Sequence, residues 1–304
     1  MGMHIPSSML HGAICPVTMA VSTTGVGLAA YWAHKANEKP SAGRFSAVTA
    51  LIFAMQMLNY PVQNGTSGHL VGAMLAVSLL GIPFAVLSMA VILAVQAIFF
   101  ADGGVSALGA NILNMGLIGA GVAGFFFKRL KERGFSKFFA LGIAAWASVV
   151  MGAAACSFEV ASAGAVSIEK ALPAMLGVHS LIGAGEDLLT VLAVAVLASS
   201  ERFLKRNERA FTFSSLALAT IAAILSPFAS NFPDGLERIA ERLSFVEFPS
   251  ENFSAFFANY RVPFIRSEAL AASVAGVVGV GIVFVVAFMV RRIIWIRKPE
   301  TVRM

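Results

Sequence analysis

The sequence has few charged residues. Asp, Glu, Lys and Arg make up 12% of its 304 residues and hydrophobic residues 58%, whereas roughly 25% charged residues are expected of a soluble domain. A chain so poor in charge is expected to be an integral membrane protein. Its long apolar runs lack the alternation of barrel strands and therefore predict transmembrane helices, which satisfy their own backbone hydrogen bonds in lipid.

Several functional signatures are also absent. The cytoplasmic segments hold no Walker-type phosphate loop, no HExxH pair marks an intramembrane metalloprotease, and no internal repeat indicates the inverted halves of a secondary transporter. A proton-coupled permease needs a chain of carboxylates across the bundle, whereas Glu186 and Asp187 stand almost alone in apolar sequence. These absences argue against an enzyme. A proton-coupled metal permease and, less so, an intramembrane metalloenzyme remain the alternatives.

The chain contains only two cysteines, Cys15 and Cys156, each near the outer end of a predicted span. A disulfide is permitted in an oxidising compartment, and two separate thiols are the favoured interpretation. No basic leader with a small-residue cleavage site precedes the first span, so we expect no removable signal peptide.

Nine hydrophobic segments are candidate spans, and two of them are short. The predicted spans are residues 13–33, 45–60, 69–82, 84–100, 111–127, 138–157, 173–199, 211–229 and 269–290. The fold class is therefore all-α, a polytopic transmembrane helical bundle.

The basic residues predict the orientation of this bundle. With the N-terminus outside, seventeen of the 22 Lys and Arg residues fall in the loops or tail after spans 1, 5, 7 and 9, as the positive-inside rule requires. The net charge of +6 is spread over these loops rather than gathered in one patch, so no nucleic-acid partner is expected. We expect a multi-pass protein of the plasma (inner) membrane, with its N-terminus extracytoplasmic and its C-terminus cytoplasmic.

The chain is expected to have two units, residues 1–209 and residues 210–304. The second comprises two spans joined by an outer segment of about 40 residues. In that segment Pro233 and Asp234 are typical of a helix start, and Leu236 and Ile239 recur at helical spacing. The pattern predicts a short amphipathic helix outside the bilayer.

Polar residues interrupt the apolar sequence at two outer bends. Residues 59–76 contain Gly65, Gly68 and Gly72 and end near His69; such backbone must be covered by protein or line a polar cavity. Residues 100–116 hold the second bend, whose polar side chains could orient a docked N-terminus: Asp102, Asn111 and Asn114.

A third polar cluster lies inside the seventh predicted span. His179 and Glu186 are seven residues apart, two turns along one helix face, while Gly183 and Gly185 allow a neighbour to approach closely. Ionisable groups in a span usually face the bundle interior. These two residues are candidates for helix packing, for orienting metal ligands or for lining an ion path.

Two histidines, His4 and His69, are expected on the outer side, near the free amine of the chain. Imidazole suits zinc, copper and nickel, and a square-planar set of nitrogens favours Cu²⁺ or Ni²⁺. A terminal amine, a deprotonated amide and an imidazole can close five- and six-membered chelate rings without strain. These residues predict a site for a borderline transition-metal cation.

Five motifs together resemble a known family. They are MHIP at residues 3–6, GTSGHLVGAMLA at 65–76, VQAIFFADGGVSALGANILNMG at 95–116, GVHSLIGAGEDLLT at 177–190 and PDGLE at 233–237. The first four resemble the CbiM/NikM family, the metal-binding S components of energy-coupling factor (ECF) transporters for cobalt and nickel. The last resembles the small CbiN/NikN-like component, here fused to the first unit. The resemblance implies an S-component core of about seven helices followed by two C-terminal spans.

The resemblance also implies a ligand set of Met3, His4 and His69, with the terminal amine on Met3. Because Met1 and Gly2 precede Met3, two alternatives stay open. In the favoured interpretation, translation starts at Met3 or the two residues are an addition. Otherwise Met1 is removed, and Gly2, Met3 and His4 form a chelate alone that leaves His69 axial or idle. The acidic residue that the family usually carries after the proline is replaced by Ser7 and Ser8.

The function implied is that of a substrate-specific subunit, not an enzyme, in an ECF-type ABC importer. It would capture Ni²⁺, or next Co²⁺, as transported substrate at an extracytoplasmic site. Its expected partners are a transmembrane coupling subunit like NikQ or CbiQ, cytoplasmic ATPases like NikO or CbiO, and membrane lipid.

Overall fold

A computed structural model describes residues 4–199, 207–245, 247, 248 and 255–294, with the side chains of residue 64 and of 197–199 excluded. The described chain is mainly helical. Its helices are α1 (Ile14–Lys35), α2 (Ala42–Gln56), α3 (Ala73–Leu80), α4 (Ile82–Phe100), α5 (Leu108–Glu132), α6 (Lys137–Ser162), α7 (Ile168–Ser199), α8 (Glu208–Leu225), α9 (Gly235–Leu243) and α10 (Glu268–Ile294).

Within the described ranges, seven helices are long and apolar enough to cross a membrane: α1, α4, α5, α6, α7, α8 and α10. The two short predicted spans, residues 45–60 and 69–82, are not among these seven, so the prediction of nine spans is not confirmed. Helix α2 has 15 residues, about 22 Å at 1.5 Å per residue, which is less than a bilayer core of about 30 Å. Residues 69–82 form the end of a strand, a turn and the eight-residue α3. Both short helices are buried in the bundle, which explains their apolar composition.

The first polar bend forms an antiparallel hairpin of β1 (Asn59–Val62) and β2 (Thr66–His69), in which Asn59 pairs with His69. Every residue of β2 is buried, which confirms that this backbone is covered by protein. Gly65 (φ 69°) and Gly72 (φ 76°) adopt left-handed backbone at the two turns, a conformation that glycine reaches without steric cost. The hairpin thus ends with His69 inside the protein.

The second unit packs on the first. Helices α8 and α10 lie against α2, and α9 lies against α7 and β2. Asp234 begins α9 with a capping box shared with Glu237, which satisfies backbone N–H groups at the helix start. Leu236 and Ile239 are buried on one face. The predicted amphipathic helix is confirmed, and its apolar face covers the end of the bundle that carries His69.

The N-terminal segment folds back into this end of the bundle. Ile5, Met9 and Leu10 are buried in one apolar cluster that also contains Leu236 and Ile239 of α9. A backbone hydrogen bond from Phe248 N–H to the Ser8 carbonyl adds a second contact with the C-terminal unit. The segment therefore lies between the two units. Cys15 and Cys156 are free thiols.

Candidate metal centre

His4 and His69 lie together in the interior. Their rings are nearly parallel, with an interplanar angle of 5° and centroids 6.1 Å apart. Both side chains are buried. Two residues 65 positions apart in sequence are therefore brought together by the folding back of the N-terminal segment and by the end of β2.

His69 presents one ring nitrogen to its own backbone. Its Nδ1 lies 3.0 Å from the carbonyl oxygen of Leu70; a carbonyl can only accept, so Nδ1 carries the proton and Nε2 the lone pair. Burial, and next the neighbouring imidazole of His4, lowers the pKa of His69 to about 4. The ring is therefore neutral above that pH, the form that binds a metal ion.

His4 faces a carboxylate. Its Nδ1 lies 3.1 Å from Oδ1 of Asp102, although the ring N–H is not well aligned with that oxygen. Burial alone would raise the pKa of Asp102, but the contact with His4 outweighs it and holds that pKa well below its ordinary value. Nε2 of His4 is buried without a hydrogen-bond partner among the described residues.

Asn111 holds the N-terminal segment in place. Its Oδ1 accepts from Ile5 N–H at 2.8 Å and its Nδ2 donates to the Ile5 carbonyl at 3.1 Å. Gly104 N–H donates to the same carbonyl at 3.1 Å, and a methyl group on Gly104 would overlap the backbone of Ser7. The glycine pair in the second bend thus makes room for the docked segment, and Asn111 is hydrogen-bonded to it. That Asn111 orients metal ligands stays a prediction.

Glu186 acts on the other side of the site. Its carboxylate accepts from Val71 N–H at 2.6 Å and from Gly72 N–H at 3.0 Å. Val71 and Gly72 are two and three residues after His69, so Glu186 fixes the backbone next to this histidine. The carboxamide of Gln56 adds a hydrogen bond to the Val71 carbonyl at 2.7 Å.

The two remaining candidates, Asn114 and His179, make their hydrogen bonds elsewhere. Asn114 Nδ2 donates to Glu159 at 2.6 Å, so its partner is a buried acid at the end of α6 that the sequence analysis did not single out. His179 donates from Nδ1 to the Met175 carbonyl at 2.8 Å, and its ring lies against Gly235, where a Cβ would come within 2.9 Å of Nε2. Their roles in an ion path stay predictions.

Met3 and the terminal amine lie outside the described residues, so the predicted chelate stays a prediction. A six-membered ring through the backbone nitrogen of His4 would close on its Nδ1, the atom that here faces Asp102. Among the residues that the structure describes, no three His, Cys, Asp or Glu side chains are grouped as a metal site. The predicted set needs no such group, because it combines two imidazoles with backbone and terminal nitrogens.

Two contacts from the C-terminal unit were missed by the sequence analysis. Tyr260 donates its hydroxyl to Oδ2 of Asp102 at 2.7 Å. Ser67, two residues before His69, donates from its N–H to the Pro233 carbonyl at 2.8 Å. Both partners are more than 150 residues away in sequence, and no local pattern marks either contact. Glu159 could have been found, since an acid in an otherwise apolar helix is itself a signal.

Comparison with known proteins gives two family matches. Residues 209–295 match the PDGLE domain, and residues 4–204 match CbiM, described as the cobalt uptake substrate-specific transmembrane region.

Two relatives from one organism match the chain over different lengths. The chain is 33% identical over 300 residues to a putative fused nickel transport protein NikMN of Archaeoglobus fulgidus, covering 95% of this chain and 98% of that one. It is 32% identical over 160 residues to a putative cobalt transport protein CbiM of the same organism, covering 52% of this chain and 68% of the relative.

The fold is also similar to a solved structure. The crystal structure of a transition metal transporter matches with a TM-score of 0.59 and 28% identity, over 66% of this chain and 94% of that one. On the match over residues 4–204, the chain belongs to the CbiM family of membrane proteins, with a PDGLE domain at its C-terminal end.

Proposed function

We propose that this protein is the substrate-specific subunit of an ECF-type importer, which captures Ni²⁺, with Co²⁺ as the next candidate, at an extracytoplasmic site. The observation that carries the proposal is the pair of buried, parallel imidazoles of His4 and His69, 6.1 Å apart. Relatives named as nickel and cobalt transport proteins support the class of ion.

The chemistry of the two rings favours a borderline cation. His69 has Nδ1 turned to the Leu70 carbonyl oxygen, which leaves Nε2 as its metal-binding atom. In the chelate implied by resemblance, His4 would bind through Nδ1, the atom that lies 3.1 Å from Oδ1 of Asp102. Imidazole nitrogens suit nickel, cobalt and copper, whereas Mg²⁺ and Ca²⁺ prefer oxygen ligands. Met3, by resemblance, would add its amine, and the His4 backbone its amide nitrogen.

We favour nickel over cobalt as the substrate because the chain aligns along most of its length with a fused nickel transport relative. The fused nickel transport relative aligns over 95% of this chain, whereas the cobalt relative aligns over 52%. A square-planar set of nitrogens is also a geometry that Ni²⁺ accepts readily.

The proposed orientation places the site outside the cell. Seventeen of the 22 Lys and Arg residues then lie on the cytoplasmic side. We propose that a membrane coupling subunit and cytoplasmic ATPases, like NikQ or CbiQ and NikO or CbiO, bind there and reorient this bundle to release the ion inside. ATP hydrolysis then belongs to the partners, and this chain performs no chemistry on its substrate.

The binding claim is tested by titrating the purified full-length chain with Ni²⁺, Co²⁺ and Mg²⁺. We expect tight binding of the first two ions and none of the third. His69→Ala should weaken Ni²⁺ binding by more than the roughly 10- to 100-fold that loss of an orienting residue costs. His34→Ala is the matched control, because His34 is exposed at the opposite end of α1. Equal affinity in all three proteins would contradict the proposal.

The importer claim needs a transport assay. Membrane vesicles carrying the chain with its coupling subunit and ATPases should accumulate ⁶³Ni²⁺ only when ATP is supplied. Accumulation driven by a proton gradient, with no ATPase present, would instead support the proton-coupled permease.

A further inference from the structure

A polar cavity of about 240 Å³, here called the junction cavity, lies where the two units meet. Residues at the end of α2, at the start of β1 and just after α4 form one wall, and residues between α8 and α10 form much of the other. Asn231 and Asn259 of the second unit are exposed, whereas Gln56 and Asp102 of the first unit are buried. The lining therefore runs from the protein surface to the interior.

The buried end of the junction cavity adjoins both halves of the candidate metal centre. Asp102 Oδ1 lies 3.1 Å from Nδ1 of His4, the atom on which the implied chelate ring closes. Gln56 donates from its carboxamide to the carbonyl of Val71 at 2.7 Å, and Val71 is two residues after His69. An ion that reaches this end of the cavity is therefore next to the elements that carry both imidazoles.

The lining suits a hydrated dication. Among the described residues that line the junction cavity, Asp102 is the only one with a charged side chain. The other polar side chains are neutral amides and hydroxyls, which hydrogen-bond to water without repelling a cation; they include Asn59, Ser226 and Ser230. A dication with six waters needs about 180 Å³, at about 30 Å³ for each water, so the ion fits with its first hydration shell.

A second cavity on the same face of the protein is less suited to a cation. It measures about 650 Å³ and lies between the hairpin, α7 and α9. Arg238 and Arg242 line it together with a single acid, Glu241, so its side-chain charge is positive. Like charges repel, and the balance of charge therefore favours the junction cavity as the route for a metal ion.

We propose that the junction cavity is the entry vestibule of the metal centre, a site that takes a hydrated divalent cation and passes it by way of Asp102 to His4 and His69. The inference rests on the proposed function. Oxygen groups accept hydrated dications of many kinds, so the vestibule admits ions and the imidazoles select among them. The proposal also gives the C-terminal unit a role, because that unit supplies the exposed part of the lining.

A side chain that fills the vestibule tests the route. Ala272 of α10 lines the cavity. It lies one turn from Gly276, where a Cβ would meet Met57, another residue of the wall, so residue 272 faces the cavity as well. In Ala272→Phe, the ion must wait for the ring to move aside, and Ni²⁺ association should slow about 10-fold or more. Ala272→Leu fills less of the space and should slow association less.

The experiment measures three quantities on the purified full-length chain. Stopped-flow absorbance gives the rate of Ni²⁺ association, excess EDTA gives the rate of Ni²⁺ release, and titration gives the dissociation constant. An obstructed path slows entry and release by the same factor, because the bound and free states are unchanged. The dissociation constant of both variants should therefore equal that of the unsubstituted protein.

Two control substitutions complete the design. Ala269→Phe places the same ring at an exposed position of α10 outside the cavity lining, and Leu181→Trp fills part of the second cavity. Both should bind Ni²⁺ at the native rate.

Three results would overturn the inference: native association rates in both Ala272 variants, slower association in Leu181→Trp instead, or weaker affinity at an unchanged release rate. The last would mean that residue 272 acts on the metal centre rather than on a path. If the unsubstituted protein binds neither Ni²⁺ nor Co²⁺, the proposed function itself fails.

Discussion

Docking of the N-terminal segment depends on the absence of a side chain at Gly104. A Cβ there would overlap the backbone nitrogen and Cα of Ser7, and backbone atoms cannot turn aside as the end of a flexible side chain can. We predict that Gly104→Ala displaces the segment and separates His4 from His69. The φ of Gly104 lies outside the left-handed range, so alanine brings no backbone strain of its own.

The size of the effect follows from two losses. Overpacking of this kind costs about 1–3 kcal/mol. Separation of the two backbones also breaks the hydrogen bond from Gly104 N–H to the Ile5 carbonyl, which contributes about 1 kcal/mol. A penalty of about 2–4 kcal/mol on the docked state corresponds to a rise in the Ni²⁺ dissociation constant of at most about 30- to 1000-fold. The rise is smaller if the docked segment is already much more stable than the undocked one.

Hydrogen exchange read by mass spectrometry, together with Ni²⁺ titration, measures both consequences. The N-terminal peptide that contains Ile5 should exchange faster in Gly104→Ala, while peptides of α6 remain protected. Gly27→Ala is the matched control, since nothing lies within 4 Å of a Cβ at Gly27 in α1 and alanine favours a helix by about 1 kcal/mol. Native exchange and native affinity in Gly104→Ala would refute the reasoning.

Further substitutions test the neighbouring contacts. Asn111→Ala leaves Ile5 N–H buried without its acceptor and should destabilise the docked segment by about 1–3 kcal/mol, seen as faster exchange of the same peptide; unchanged exchange would contradict the role of Asn111. In Glu186→Gln, the amide N–H₂ would face one of the two backbone N–H groups that donate to the carboxylate, so Ni²⁺ binding should weaken. Glu132→Gln, at the exposed end of α5, is the neutral control. Gly235→Ala places a methyl group against His179 and should lower the melting temperature through about 1–3 kcal/mol of overpacking; native stability would show that α9 is not packed on α7.

Much of the fold could be predicted from the sequence because apolar length alone identifies a membrane helix. The same criterion is ambiguous at α2 and at residues 69–82, where the helices are short and their apolar side chains are buried in protein. Periodicity identified the buried face of α9, since Leu236 and Ile239 lie on one side of a short helix. It could not show what covers that face.

The site was predictable only in part. The pairing of His4 with His69 was predicted from their expected outer position and from the resemblance, and the structure places the two rings together. The contact of Tyr260 with Asp102 joins residues 158 positions apart, and it depends on how two units pack. Hydropathy and motif spacing report on local chemistry, so neither could reveal it.

The central claim is that His4 and His69 share one ion. X-ray absorption spectroscopy of the nickel-loaded protein tests it most directly, because scattering from the outer atoms of imidazole rings counts the histidines bound to the metal. We predict two imidazoles in the unsubstituted protein and one fewer in either His4→Ala or His69→Ala, where nickel is retained at all. The same imidazole count in all three proteins would contradict the account.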